Sequence, residues 1–144
     1  MPSNDTPKVI FLKGSPMGKE AVAAEAGILP GMLVDAVPGG DAVAHATAGG
    51  AAVPAFARAN ELVGNGIDVA YADADTLLYG VSTSGDEVYG WIADAENITA
   101  GTLLESAGNG TFKALDTGVA IAKALQTVDN STGGAPARMK LEVL

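Results

Sequence analysis

Apolar and polar residues alternate in short runs along this chain, and most runs stop at glycine, proline or a small polar cluster. A period of two is the pattern of a strand with one buried face. The last run, Arg138-Met139-Lys140-Leu141-Glu142-Val143-Leu144, puts Met139, Leu141 and Val143 on one side. Further strands are predicted over 9–12, 32–37, 42–47, 53–57, 76–82, 87–93, 101–105 and 111–115. Pro54 assigns 53–57 to a sheet edge or a strand start, because proline donates no ladder hydrogen bond. Pro30-Gly31, Pro38-Gly39-Gly40, Ser84-Gly85-Asp86 and Ser106-Ala107-Gly108-Asn109-Gly110 have the chemistry of turns. Within 87–93, Val88, Trp91 and Ile92 are the heaviest apolar group, which puts Trp91 in or beside the core.

Two segments are less regular. Residues 17–26, MGKEAVAAEA, suit a helix by composition. Residues 118–128 mix helix-forming alanines with Val119, Ile121, Thr127 and Val128, and the β-branched residues favour a strand. Residues 97–100 read as a connector. Strands that recur about every 8 to 12 residues predict a mainly β fold, a compact barrel or sandwich with short helical segments. Residues 1–13 are expected to form an extended N-terminal arm and first strand, since 1–7 carry Pro2 and Pro7 and no large apolar side chain after Met1. Residues 14–144 are expected to form a single β-rich domain.

Composition narrows the classes. The 144 residues hold 27 alanines and 19 glycines, so the core must be lean for a chain that is 48% hydrophobic. The absence of cysteine removes disulfides, thiolate metal sites and thiol nucleophiles, and it fits a reducing compartment. No run approaches the roughly 20 apolar residues of a spanning helix. The run 9–12 is too short for a secretory signal, so a soluble chain that starts near Met1, with no membrane partner, is expected. A net charge of −9 would repel a phosphate backbone, which argues against a nucleic-acid partner.

Candidate chemistry is sparse. His45 is the one imidazole, and Asp41, four residues back on the same strand face, would lie roughly 13 Å away. That separation is too great for a dyad, so His45 reads as a surface or half-buried structural residue. The serines near Gly80 to Gly85 and near Gly108 break the G-x-S-x-G spacing of a nucleophile elbow. Gly14-Ser15-Pro16-Met17-Gly18-Lys19-Glu20 puts three residues between its glycines where a phosphate loop needs four, and has Glu where the metal-binding hydroxyl belongs. It reads as a turn. The acidic positions Asp68, Asp73, Asp75, Asp86, Glu87, Asp94 and Glu96 match no calcium-loop spacing. Asp73 and Asp75 share a side if extended, but solvated loop charge is the simpler account. Four N-x-[ST] sequons read as turn chemistry. Tyr71, Tyr79, Tyr89 and Trp91 lack the interleaved cations of a stacking platform and read as packing residues. The expectation is a non-enzymatic protein with no catalytic, cofactor-binding or metal residues.

Several phrases resemble bacteriophage head decoration proteins, the capsid cement proteins of the lambda-like type and their larger relatives. They are Pro30-Gly31-Met32-Leu33-Val34, His45-Ala46-Thr47-Ala48-Gly49-Gly50, Val53-Pro54-Ala55-Phe56-Ala57-Arg58 and Gly85-Asp86-Glu87-Val88-Tyr89-Gly90-Trp91. The most specific is Asn97-Ile98-Thr99-Ala100-Gly101-Thr102-Leu103-Leu104-Glu105-Ser106-Ala107-Gly108-Asn109-Gly110-Thr111-Phe112-Lys113. The resemblance covers most of the chain from Pro30 onward and implies a β-tulip-type domain that forms a homotrimer on the capsid exterior. There it would contact the major capsid protein and lock neighbouring capsomers, and the protein would reside in the virion after synthesis in the host bacterial cytoplasm. Residues 119–125 depart from that pattern. On this reading Thr6, Pro7, Lys8, Val9, Ile10, Phe11 and Leu12 would add a strand to an exposed edge of the capsid protein. Ala48, Gly49 and Gly50 would permit close approach in the trimer interface. Another β-rich virion component or a glycan-binding module, such as a tail or fibre protein, shares the same composition. A small hydrolase would need His45 or a carboxylate cluster assembled from distant loops.

Overall fold

The computed structural model describes residues 6–144; residues 1–5, the beginning of the expected arm, lie outside the described residues. The chain is mainly β, as the alternation predicts. The strands are β1 (Phe11–Lys13), β2 (Met17–Ala23), β3 (Val34–Ala36), β4 (Asp41–Ala44), β5 (Ala55–Ala57), β6 (Thr76–Val81) and β7 (Glu87–Ile92). They continue as β8 (Asn97–Ile98), β9 (Leu103–Gly108), β10 (Thr111–Ala114), β11 (Ala122–Ala124), β12 (Val128–Asp129) and β13 (Ala137–Val143). The expected helical segments reduce, among the described residues, to one turn of 3-10 helix, Glu61–Val63.

Two barrels share the chain. In the first, β7, β10, β9, β11 and β13 pair in order, and β13 pairs back on β7 from Ala137↔Ile92 to Glu142↔Glu87, which closes the ring. β1 is added outside the ring, antiparallel to β7. The second sheet runs β3-β4-β2-β6-β5, and it curls until Leu33, just before β3, bridges Phe56 of β5. β8 and β12 form a separate two-stranded ribbon.

The strand β5 shows how one short sequence serves both barrels. Phe56 points into the first core, against Phe112 at a ring-centroid distance of 6.1 Å, while Ala55 and Ala57 point into the second. The first core holds Leu33, Ile92, Leu104, Phe112, Met139 and Leu141, all fully buried; each such side chain stabilises the fold by about 1.5–3 kcal/mol through burial. The second holds Ala21, Ala23, Ala42, Ala55 and Ala57 around Val34, Leu77, Tyr71 and Tyr79. Gly80 lies between them, because a Cβ there would stand 2.6 Å from the Phe11 ring.

Three expectations need correction. Residues 17–26 are not helical: 17–23 form β2, paired with β6 from Met17↔Val81 to Val22↔Thr76. The alternation of Ala21 and Ala23 inward with Glu20 and Val22 outward overrides the helical propensity of alanine. The strand favoured over 118–128 is interrupted, with only Ala122–Ala124 and Val128–Asp129 in strands. The connector at 97–100 contains β8, held by Val128↔Ile98 and Asp129↔Asn97.

Arg138 on β13 joins the two halves. Its guanidinium lies 4.1 Å from the Trp91 ring centroid and 5.3 Å from that of Tyr89. It donates to the carbonyls of Pro30 and Ile67, in the loops that join β2 to β3 and β5 to β6 of the second barrel, and meets the Asp68 carboxylate at 3.3 Å. The Trp91 indole N–H donates to the same Pro30 carbonyl at 2.9 Å, so Trp91 sits beside the core. Burial lowers the guanidinium's pKa, and Asp68 opposes that shift.

Candidate functional site

The expected arm divides at Ile10. Thr6, Lys8 and Val9 are exposed and Pro7 is partly so. Ile10 is buried in the first core, and its carbonyl accepts from the Tyr89 amide at 2.7 Å. Phe11 pairs with Val88, its ring beneath the Arg58 guanidinium at 6.0 Å, and Leu12 is half-buried. The segment Ile10 to Leu12 is therefore already engaged within the chain. The outer side of β1 is not, because β1 ends its sheet and pairs with β7 alone among the described strands.

In the small-residue stripe, Ala48 is exposed, and Gly49 and Gly50 are half-buried. The close approach made by Gly49 is to Gly118 of the same chain: a Cβ on Gly118 would lie 2.4 Å from the Gly49 Cα. Gly49 also has φ of +71°, a conformation that favours glycine. Its amide donates to the Ser106 carbonyl at 2.8 Å, and its own carbonyl accepts from Val119. The carboxylate of Glu105 fills the remaining space, 2.0 Å from where a Gly118 Cβ would stand. Glu105 is 2% exposed and accepts from the Asp116 amide. No sequence signal marks this buried acid; the loop beyond β10 covers a strand face that would otherwise meet solvent.

His45 is buried, where the sequence suggested a surface or half-buried site. Its Nδ1 lies 2.8 Å from the Ser106 hydroxyl and its Nε2 3.2 Å from the Ala51 carbonyl. The Ser106 oxygen accepts from the Gly108 amide, so its own proton is free for Nδ1, and the imidazole proton then sits on Nε2. Both nitrogens are spent on structure, as expected for a structural histidine. Asp41 stands exposed on β4 and Asp75 accepts from the Ala72 amide in a local turn. Among the described residues no group of three or more His, Asp or Glu is placed to hold a metal. Tyr71 is buried with its hydroxyl on the Arg58 carbonyl at 2.7 Å, and burial raises its pKa.

Sequence reasoning missed one concavity among the described residues. A cleft of about 400 Å³ opens at the mouth of the second barrel, between β3, β5 and β6 and the segment 51–53. Alanines in that barrel leave the space unfilled. Its walls are chiefly apolar, with Val34, Ala36, Ala55 and Val81 facing in. Lys19 shares the inward parity of Ala21 and Ala23 and is cross-strand neighbour to Tyr79, which also lines the cleft. Burial raises the Tyr79 phenol above its ordinary pKa of 10.0, so it remains a proton donor. His45 contributes wall only, its nitrogens being occupied. The signal for this site was the lone cation at an inward position of an alanine-rich alternating run.

A scan of the chain against protein-family models finds no match, and a search of curated proteins finds none either.

Proposed function

We propose that this chain is a structural attachment protein of a tailed-phage head: a homotrimer that binds the capsid exterior, contacts the major capsid protein and stabilises its lattice. The observation that carries the reading is the edge position of β1, paired on one side only and preceded by the exposed run Thr6 to Val9. A strand in that situation offers unpaired amides and carbonyls to a partner sheet edge, and side chains on alternate faces supply specificity. The phrases quoted from Pro30 onward support the same assignment. Because Ile10 is built into the core, the contact falls to Thr6, Pro7, Lys8 and Val9 together with the outer edge of Phe11 to Lys13.

The test is co-sedimentation with expanded heads of the cognate major capsid protein. The chain lacking residues 1–9 keeps Ile10 and so keeps its core. Intact chain in the pellet and truncated chain in the supernatant is the expected result. Undiminished pelleting of the truncated chain rejects the arm as anchor, and failure of the intact chain to pellet rejects the decoration role. Light scattering that gives a strict monomer in solution and on particles rejects the trimer.

A further inference from the structure

We propose that the cleft at the mouth of the second barrel binds a small amphipathic carboxylate, its acid group held by Lys19 and Tyr79 and its hydrocarbon body lying along the alanine-rich wall. Two donors are left over there. Lys19 forms no ion pair among the described residues, in a chain whose acidic side chains outnumber its basic ones. Tyr79 is 2% exposed, yet its hydroxyl makes no hydrogen bond to any described residue. The residue is not among those whose buried polar atoms are sealed off without a partner, which leaves its hydroxyl facing the open space. An ammonium and a phenol on adjacent strands match the two oxygens of a carboxylate, through charge-assisted hydrogen bonds.

The rest of the cleft selects the ligand's body. Val34, Ala36, Ala55 and Val81 offer apolar contact, so this wall favours a hydrocarbon body over a polyhydroxylated one. Asp35 stands at the rim; it alternates outward between Val34 and Ala36 and is exposed, and it disfavours a second negative charge such as a dianionic phosphate. A volume of about 400 Å³ suits a linear or single-ring monocarboxylate. This site is independent of the capsid-binding edge, and its test does not involve capsids.

The experiment is isothermal titration calorimetry of the full chain with butanoate, hexanoate, octanoate, octanol and inorganic phosphate. Octanoate is expected to bind at one per chain, each methylene tightening the series about fourfold until the cleft is full. Lys19→Met is expected to weaken octanoate about tenfold or more and to leave octanol unchanged, with the melting temperature confirming the fold. Tyr79→Phe, a second probe that keeps the ring in the core, is expected to weaken octanoate several-fold. Absence of saturable octanoate binding overturns the proposal. So does octanoate binding that neither substitution alters, or phosphate binding as tight as octanoate.

Discussion

The two barrels of this chain use nearly the same number of strands and opposite core chemistry. The first is filled by Phe56, Phe112, Leu104, Met139 and Leu141; the second is filled by five alanines with Ile28, Val34, Leu77 and two tyrosines. The first ring closes around large side chains, whereas the alanine barrel leaves a cleft at its mouth. The larger buried side chains assign more of the burial energy to the first barrel, while the cleft belongs to the second. The division follows from side-chain volume, since a void too small to fill forfeits contacts and one lined by methyl groups of alanine stays open.

The sharpest way to break this comparison is to hollow the first barrel. Phe112→Ala is expected to lower the unfolding free energy by about 3–5 kcal/mol, measured by urea denaturation. A smaller loss than that of Leu77→Ala in the second barrel would reverse the assignment of where stability lies. Next in size is the tie between the halves. Arg138→Met removes the guanidinium from over Trp91 and strands the Ile67 carbonyl, and it is expected to cost about 1–3 kcal/mol in the same measurement.

Adding volume tests the comparison from the other side. Ala122→Val, in the filled ring, is expected to destabilise by about 1–3 kcal/mol, while Ala36→Val, which borders the cleft, is expected to cost under about 1 kcal/mol. Equal penalties would mean that the cleft wall is as rigid as the closed core. The smallest effect lies in neither barrel. On the β12 side of the ribbon, the Asp129 carboxylate accepts from the Ser131 hydroxyl at 2.6 Å and from its amide at 3.0 Å, which holds its pKa below the ordinary 3.8. A depressed carboxylate favours the folded chain above its ordinary pKa and loses that contribution as pH falls through the folded value. Carboxyl NMR titration of Ser131→Ala is expected to show the Asp129 midpoint rising toward 3.8.

Legibility in the sequence followed how local each determinant is. Met139, Leu141 and Val143 alternate inward as read, and the turn at Ser84-Gly85-Asp86 connects β6 to β7 as read, because both depend on neighbours along the chain. β2 was misjudged because Glu20, Ala21, Ala23 and Ala24 favour a helix locally, and only pairing with β6, some sixty positions away, makes them extended. The burial of Glu105 and the Gly49 approach to Gly118 are consequences of closure, and no residue type announces closure. His45 reads from its spacing as a surface or half-buried residue, whereas it is buried beside Ser106, a contact that the alternation of β9 does not foretell.

The pairing of β13 with β7 carries a consequence for the order of synthesis. In the ladder Trp91 lies opposite Arg138, so on the ribosome the β13 side of β7 waits bare while most of the remaining chain is made. The alanine barrel, whose strands β2 to β6 are all translated before β7, is free to assemble first and to offer the waiting strand the Pro30 carbonyl that Trp91 bonds. The half that is made first would then serve as the template on which the later ring closes.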